Sequence, residues 1–76
     1  MDSGVDLDLS GLKCPLPALR TRKALKGLAP GARLSVVCTD PMAAIDIPNL
    51  VRETGDRLEA QSEQGGKLVF AILKAG

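Results

Sequence analysis

Seventy-six residues with a hydrophobic fraction of 45% fit one globular domain and leave no room for a second core. A formal net charge of +1 gives no global field to draw in nucleic acid, and no apolar run approaches the roughly 18 residues that span a bilayer. Two cysteines without a histidine exclude a disulfide framework, an ordinary zinc site, a Cys-His catalytic pair and a Ser-His triad.

The start, Met1-Asp2-Ser3-Gly4, is acidic and polar, unlike a signal peptide, so a cytoplasmic location is expected. Residues 1–4 are expected to be disordered. Val5, Leu7 and Leu9 then alternate with Asp6, Asp8 and Ser10, which predicts a strand over 5–10. Gly11 and Leu12 turn the chain towards Lys13-Cys14-Pro15-Leu16-Pro17. Proline fixes its own φ and has no N–H, so it suits the first turn of a helix. Pro15 and Pro17 therefore read as the start of a helix over 18–26, with Cys14 at or next to its N-cap. The positive end of a helix favours an anion. A thiol there is expected to lose its proton more readily than its usual pKa of about 8.5 implies, with Lys13 adding charge beside it. The competing reading of Cys14 is a small buried hydrophobe.

Ala18, Thr21, Leu25 and Leu28 are spaced to share one buried helix face. Arg20, Arg22, Lys23 and Lys26 fall mostly elsewhere, and Gly27 and Pro30-Gly31 end the element and turn the chain. The second strand, 33–39, points Leu34, Val36 and Cys38 one way. Asp40-Pro41 then repeats a capping residue followed by proline. The second helix, 42–54, is interrupted by Pro48. A short turn to Ile45 and a firmer helix from Ile47 are expected, with Asp46 as a second cap. Gly55 ends it. In the third strand, 57–64, Leu58 and Ala60 are expected to face inward. Gly65-Gly66 makes a tight hairpin, and the nearly continuous apolar run of 67–74 predicts a central strand.

The order β-α-β-α-β-β with right-handed crossovers puts both helices on one face of a four-stranded mixed sheet. The fold class is thus α/β, a two-layer sandwich, with residues 1–76 as a single domain. Val37, Val69 and Ala71 would lie on the face without helices, exposed or against a partner. The single aromatic, Phe70, leaves an aliphatic core of modest stability, about 3–5 kcal/mol.

The run Leu9-Ser10-Gly11-Leu12-Lys13-Cys14-Pro15-Leu16-Pro17 resembles the signature of the TusA/SirA-like sulfur-carrier family, which carries a Cys-Pro-x-Pro motif after its first strand. The likeness continues through Thr39-Asp40-Pro41, Asp46-Ile47-Pro48 and Arg52-Glu53-Thr54-Gly55. It implies the same sandwich fold, which that family shares with the C-terminal domain of bacterial translation initiation factor three. It also implies that Cys14 accepts sulfane sulfur as a persulfide from a donor protein, a cysteine desulfurase or a rhodanese-like protein. The sulfur then passes to an acceptor protein in transfer RNA thiolation, molybdenum cofactor assembly or sulfur oxidation. The chemistry is thiol exchange and needs no cofactor and no metal in this chain. Such a chain is a persulfide carrier of the sulfurtransferase type rather than a turnover enzyme.

Around Cys14, the residues expected to support the thiol loop are Lys13, Pro15, Pro17 and Asp40. Lys13 would favour the thiolate or touch the donor. Asp40 would mainly cap its helix, although its carboxylate also raises a nearby thiol's pKa. Leu16 fills the variable position of the motif. Cys38 reads as buried packing, with a resolving thiol for Cys14 as the sharper alternative. Two other function classes remain open on the residues alone. One is a small redox-sensitive regulatory or interaction module that moves no sulfur. The other is a nucleic-acid-binding domain by fold analogy, which the absence of an aromatic platform disfavours.

Overall fold

Apolar and polar residues alternate along the strands, and that alternation decides which side of the sheet the helices cover. The computed structural model describes residues 4–75. It contains β1 (Gly4–Leu9), α1 (Leu16–Lys26), β2 (Arg33–Cys38), α2 (Ala43–Thr54), β3 (Arg57–Gln64) and β4 (Lys67–Leu73). The sheet order is β1-β2-β4-β3. β1 pairs with β2 in parallel, with Val5, Leu7 and Leu9 opposite Leu34, Val36 and Cys38. β4 runs antiparallel to both β2 and β3, so the most apolar strand is central. The expected disorder of residues 1–4 falls, for 1–3, outside the described residues. Gly4 opens β1, paired with Arg33.

The core is a single layer between sheet and helices. Leu34, Val36 and Cys38 of β2 and Phe70 and Ile72 of β4 are buried beneath Leu25, Ile47 and Val51 of the helices. Phe70, the only aromatic, is completely inaccessible. On α1 the buried residues are Pro17, Thr21 and Leu25, so Pro17 takes the core position expected of Ala18, which is half-buried.

α2 runs unbroken through Pro48, against the expected break. Ala43, Ile47, Leu50 and Val51 are all buried. Their spacing of four, three and one makes a single stripe only if the helix is continuous. Interrupting it would uncover Ala43 or Ile47, and that burial outweighs the one backbone hydrogen bond a proline removes. Asp46 therefore caps nothing. Gly55 closes the helix at φ +80°, a left-handed conformation that glycine adopts without penalty.

β3 also departs from expectation. A bulge between Leu58 and Ala60 sets Leu58 opposite Ile72 and Ala60 opposite Ala71. Glu59 is the extra residue, and it switches the strand's phase. Leu58 faces the core, whereas Ala60 turns to the helix-free face and is exposed. Glu59 there meets Arg33 at 2.9 Å. Val37, Val69 and Ala71 are half-buried on that same face. At the sheet edge where α2 ends, the side chain of Asp56 is 1% exposed and lies 3.8 Å from Lys74 Nζ. It accepts hydrogen bonds from the Thr54 hydroxyl at 2.7 Å and the Ala75 N–H at 2.9 Å.

Candidate functional site

Because β1 and β2 are parallel neighbours, their C-terminal ends meet at one sheet edge, and each is followed at once by a helix start. Two turns are thereby brought together, and side chains of the second bind the backbone of the first. The Gly11 N–H donates to Thr39 Oγ1 at 2.8 Å. The Cys14 N–H donates to Asp40 Oδ2, and the Met42 N–H donates to Asp40 Oδ1 at 3.1 Å. Asp40 thus bridges the two loops. It closes a turn two residues ahead of itself; the N-cap position of α2 belongs to Met42, not to Asp40 as the sequence suggested.

Cys14 lies one residue before the N-cap of α1, which is Pro15; Pro17 occupies the second helical position. The two prolines stand at the helix start as expected, and Cys14 is exposed. Its thiol donates to Asp46 Oδ2 at 3.0 Å. This contact reverses the electrostatics expected of the site. The hydrogen bond to Asp46 holds the thiol pKa above its ordinary value, with desolvation and the charges of Asp46 and Asp40 acting in the same direction. A carboxylate facing the sulfur penalises the thiolate. Lys13 does not offset this: its charge acts on Asp40, whose carboxyl is held low mainly by the Cys14 and Met42 N–H groups.

Asp46 is the site residue that sequence reasoning missed. Its signal was present but hidden by the break assumed at Pro48. On a continuous α2, Asp46, Asn49 and Glu53 fall on one stripe beside the buried one. That stripe faces Ala18, Leu19 and Arg22 of α1 across a groove of about 340 Å³ that begins at Cys14 and Pro15. Arg22 and Glu53 pair at 3.3 Å farther along it. Among the described residues, five large apolar side chains are exposed. Four of these, Leu16, Leu19, Met42 and Ile45, belong to the starts of the two helices and surround the thiol's end of the molecule. Leu16 is thus one of a group, not an isolated apolar residue.

Cys38 is fully inaccessible in the core. Burial, with the Asp40 charge, pushes its thiol up to about 11, which suits packing and not thiol exchange. Among the described residues, no helix is long and apolar enough to cross a membrane.

Comparison with known proteins places the chain among sulfur carriers. A sulfur carrier protein TusA from Allochromatium vinosum is 42% identical over 74 residues, 97% of each chain. Another, from Pseudomonas paraeruginosa, is 38% identical over 68 residues, 90% of this chain and 86% of its own. In three dimensions the crystal structure of a SirA-like protein from Desulfitobacterium hafniense superposes with a TM-score of 0.81 over 93% of this chain and 97% of its own, at 22% identity; that likeness carries the fold alone. The family described as sulfurtransferase TusA matches residues 5–74, so all of β1 but Gly4, the Cys-Pro-Leu-Pro turn and both helices lie within the match, and the chain belongs to that family.

Proposed function

We propose that this chain is a sulfur carrier and that Cys14 is its persulfide site. The observation that carries the reading is an exposed thiol in a Cys-Pro-x-Pro turn, in a chain whose relatives are named sulfur carriers over nearly its whole length. Cys14 takes sulfane sulfur from a persulfide on a cysteine desulfurase or a rhodanese-like donor and becomes Cys14–S–SH. It then yields the sulfur to an acceptor protein in the cytoplasm, in transfer RNA thiolation, molybdenum cofactor assembly or sulfur oxidation. Lys13, Pro15, Pro17 and Asp40 hold the loop that presents the thiol. The exposed apolar residues at the helix starts suit temporary contact with a protein partner, because such a patch is unusual on a surface that meets only water.

The test is an intact mass after exposure to a cysteine desulfurase supplied with L-cysteine, and separately to a rhodanese supplied with thiosulfate. A gain of one sulfur atom is expected from at least one donor. It should be reversed by a reductant and absent in Cys14→Ser. If neither donor adds sulfur while alkylating agents still modify Cys14, the carrier reading fails and a redox or interaction module takes its place.

A further inference from the structure

We propose that Asp46 is a catalytic residue of the transfer: its carboxylate takes the Cys14 proton as the sulfur attacks a donor persulfide, and returns it to the donor's departing thiolate. This rests on the carrier reading and adds the group that moves the proton.

The geometry is already in place. Sγ and Oδ2 are 3.0 Å apart, and Asp46 is held on the first turn of α2, where its N–H donates to the Met42 carbonyl at 2.9 Å. The other charged groups of this end are engaged elsewhere. Asp40 accepts the Cys14 and Met42 N–H groups, Lys13 acts on Asp40, and Arg22 pairs with Glu53. The chain has no histidine, so a carboxylate is the base available beside the sulfur.

A proton acceptor is needed because the nucleophile is the thiolate, whereas this thiol is held protonated. In open water the solvent removes the proton. Under a docked donor, Leu16, Leu19, Met42 and Ile45 are covered and water is excluded, so the acceptor has to be local. Moving the proton from thiol to carboxylate leaves the net charge of the pair unchanged, so no new charge has to be made under the donor. The step balances as Cys14–SH plus donor–S–SH giving Cys14–S–SH plus donor–SH. The bond from Sγ to the sulfane sulfur forms, and the donor's S–S bond breaks. The electron pair leaves on the donor cysteine, which takes the proton from Asp46. The sulfane sulfur moves at unchanged oxidation state, so no outside oxidant or reductant enters.

The experiment compares Asp46→Asn and Asp46→Ala with the unsubstituted chain at pH 7, folding being checked by circular dichroism. Alkylation by iodoacetamide reads thiolate exposed to water. Single-turnover sulfur uptake, followed by intact mass, reads transfer at a docked surface, using whichever of the desulfurase and rhodanese loads the unsubstituted chain. The two readouts should move in opposite directions. Alkylation should become several-fold faster, because the carboxylate no longer opposes the thiolate, while uptake should slow about a hundredfold, the lower range for loss of a positioned acid–base group. Uptake as fast as or faster than the unsubstituted chain overturns the proposal and leaves the carrier reading standing. A parallel fall in alkylation and uptake also overturns it, since Asp46 would then only hold the loop in place. If the unsubstituted chain takes sulfur from neither donor, the carrier reading fails first and this step with it.

Discussion

Asp46 and Asp56 occupy the two ends of α2, about 15 Å apart along its axis, and their surroundings differ in kind. Asp56 is almost wholly enclosed, and its carboxylate is answered by Thr54, Lys74 and the Ala75 N–H. Asp46 faces an exposed thiol that can change partner. One end of the helix holds a closed set of bonds that fastens β4 to the helix exit. The other holds a bond that has to be broken whenever the thiol reacts. In so small a chain, the stabilising polar network and the reactive one are kept at opposite edges of the sheet, where a change in one need not disturb the other.

The comparison is broken most directly at Asp56. Asp56→Ala leaves the Ala75 N–H and the Lys74 ammonium without their acceptor, while the Thr54 hydroxyl keeps the Val51 carbonyl, and should cost about 2 kcal/mol in urea unfolding. The pH profile of Cys14 alkylation in the folded protein should stay where it was. A shifted profile would mean that the two ends are coupled.

Asp40→Asn tests the thiol end with a smaller effect. The Asp40 carboxyl is held below the ordinary range in the folded chain, first by the Cys14 N–H and then by the Met42 N–H. Its contribution to stability is therefore present above the unfolded carboxyl pKa of about 3.9 and is lost as pH falls through the folded value. Unfolding midpoints measured at pH 5 and pH 3 should lie closer together in Asp40→Asn than in the unsubstituted chain. Cys14 alkylation should speed up less than in Asp46→Asn, since Asp40 acts on the thiol through charge alone. An unchanged acid dependence would remove Asp40 from the account of loop stability.

Thr21 lies in the core between the two ends and serves as the control. It is completely buried, and its hydroxyl has no hydrogen-bond partner among the described residues. Replacing it with valine should raise stability by about 1 kcal/mol, seen as a higher urea midpoint, without altering alkylation. A loss of stability would mean that the hydroxyl does have a partner.

The order of elements and the placing of Cys14 were legible because they depend on local signals: strand alternation, the two prolines and the glycine turns. The central position of β4 followed from its apolar run. What was illegible depended on distant partners. Pro48 reads as a helix breaker on its own, and only the buried stripe from Ala43 to Val51 overrules it. The bulge at Glu59 has no mark in the sequence, yet it decides that Ala60 faces outward. Most consequentially, helix-start chemistry predicted a more acidic Cys14. The opposite result comes from Asp46, which lies 32 residues away in sequence and reaches the sulfur only because β1 and β2 are parallel neighbours.

The bulge has a further consequence, for the company the molecule keeps. β3 is an edge strand whose outer backbone groups form a template on which a second copy could add its own strand. An extra residue at Glu59 puts that template out of step with a regular strand. Arg57, Glu59 and Glu63 add charge along the same edge, and Leu58 is its only large apolar side chain. Self-association through this edge is thereby discouraged, whereas the helix starts expose apolar side chains. A carrier that meets other proteins at an apolar end gains from a β3 edge that does not also pair with copies of itself.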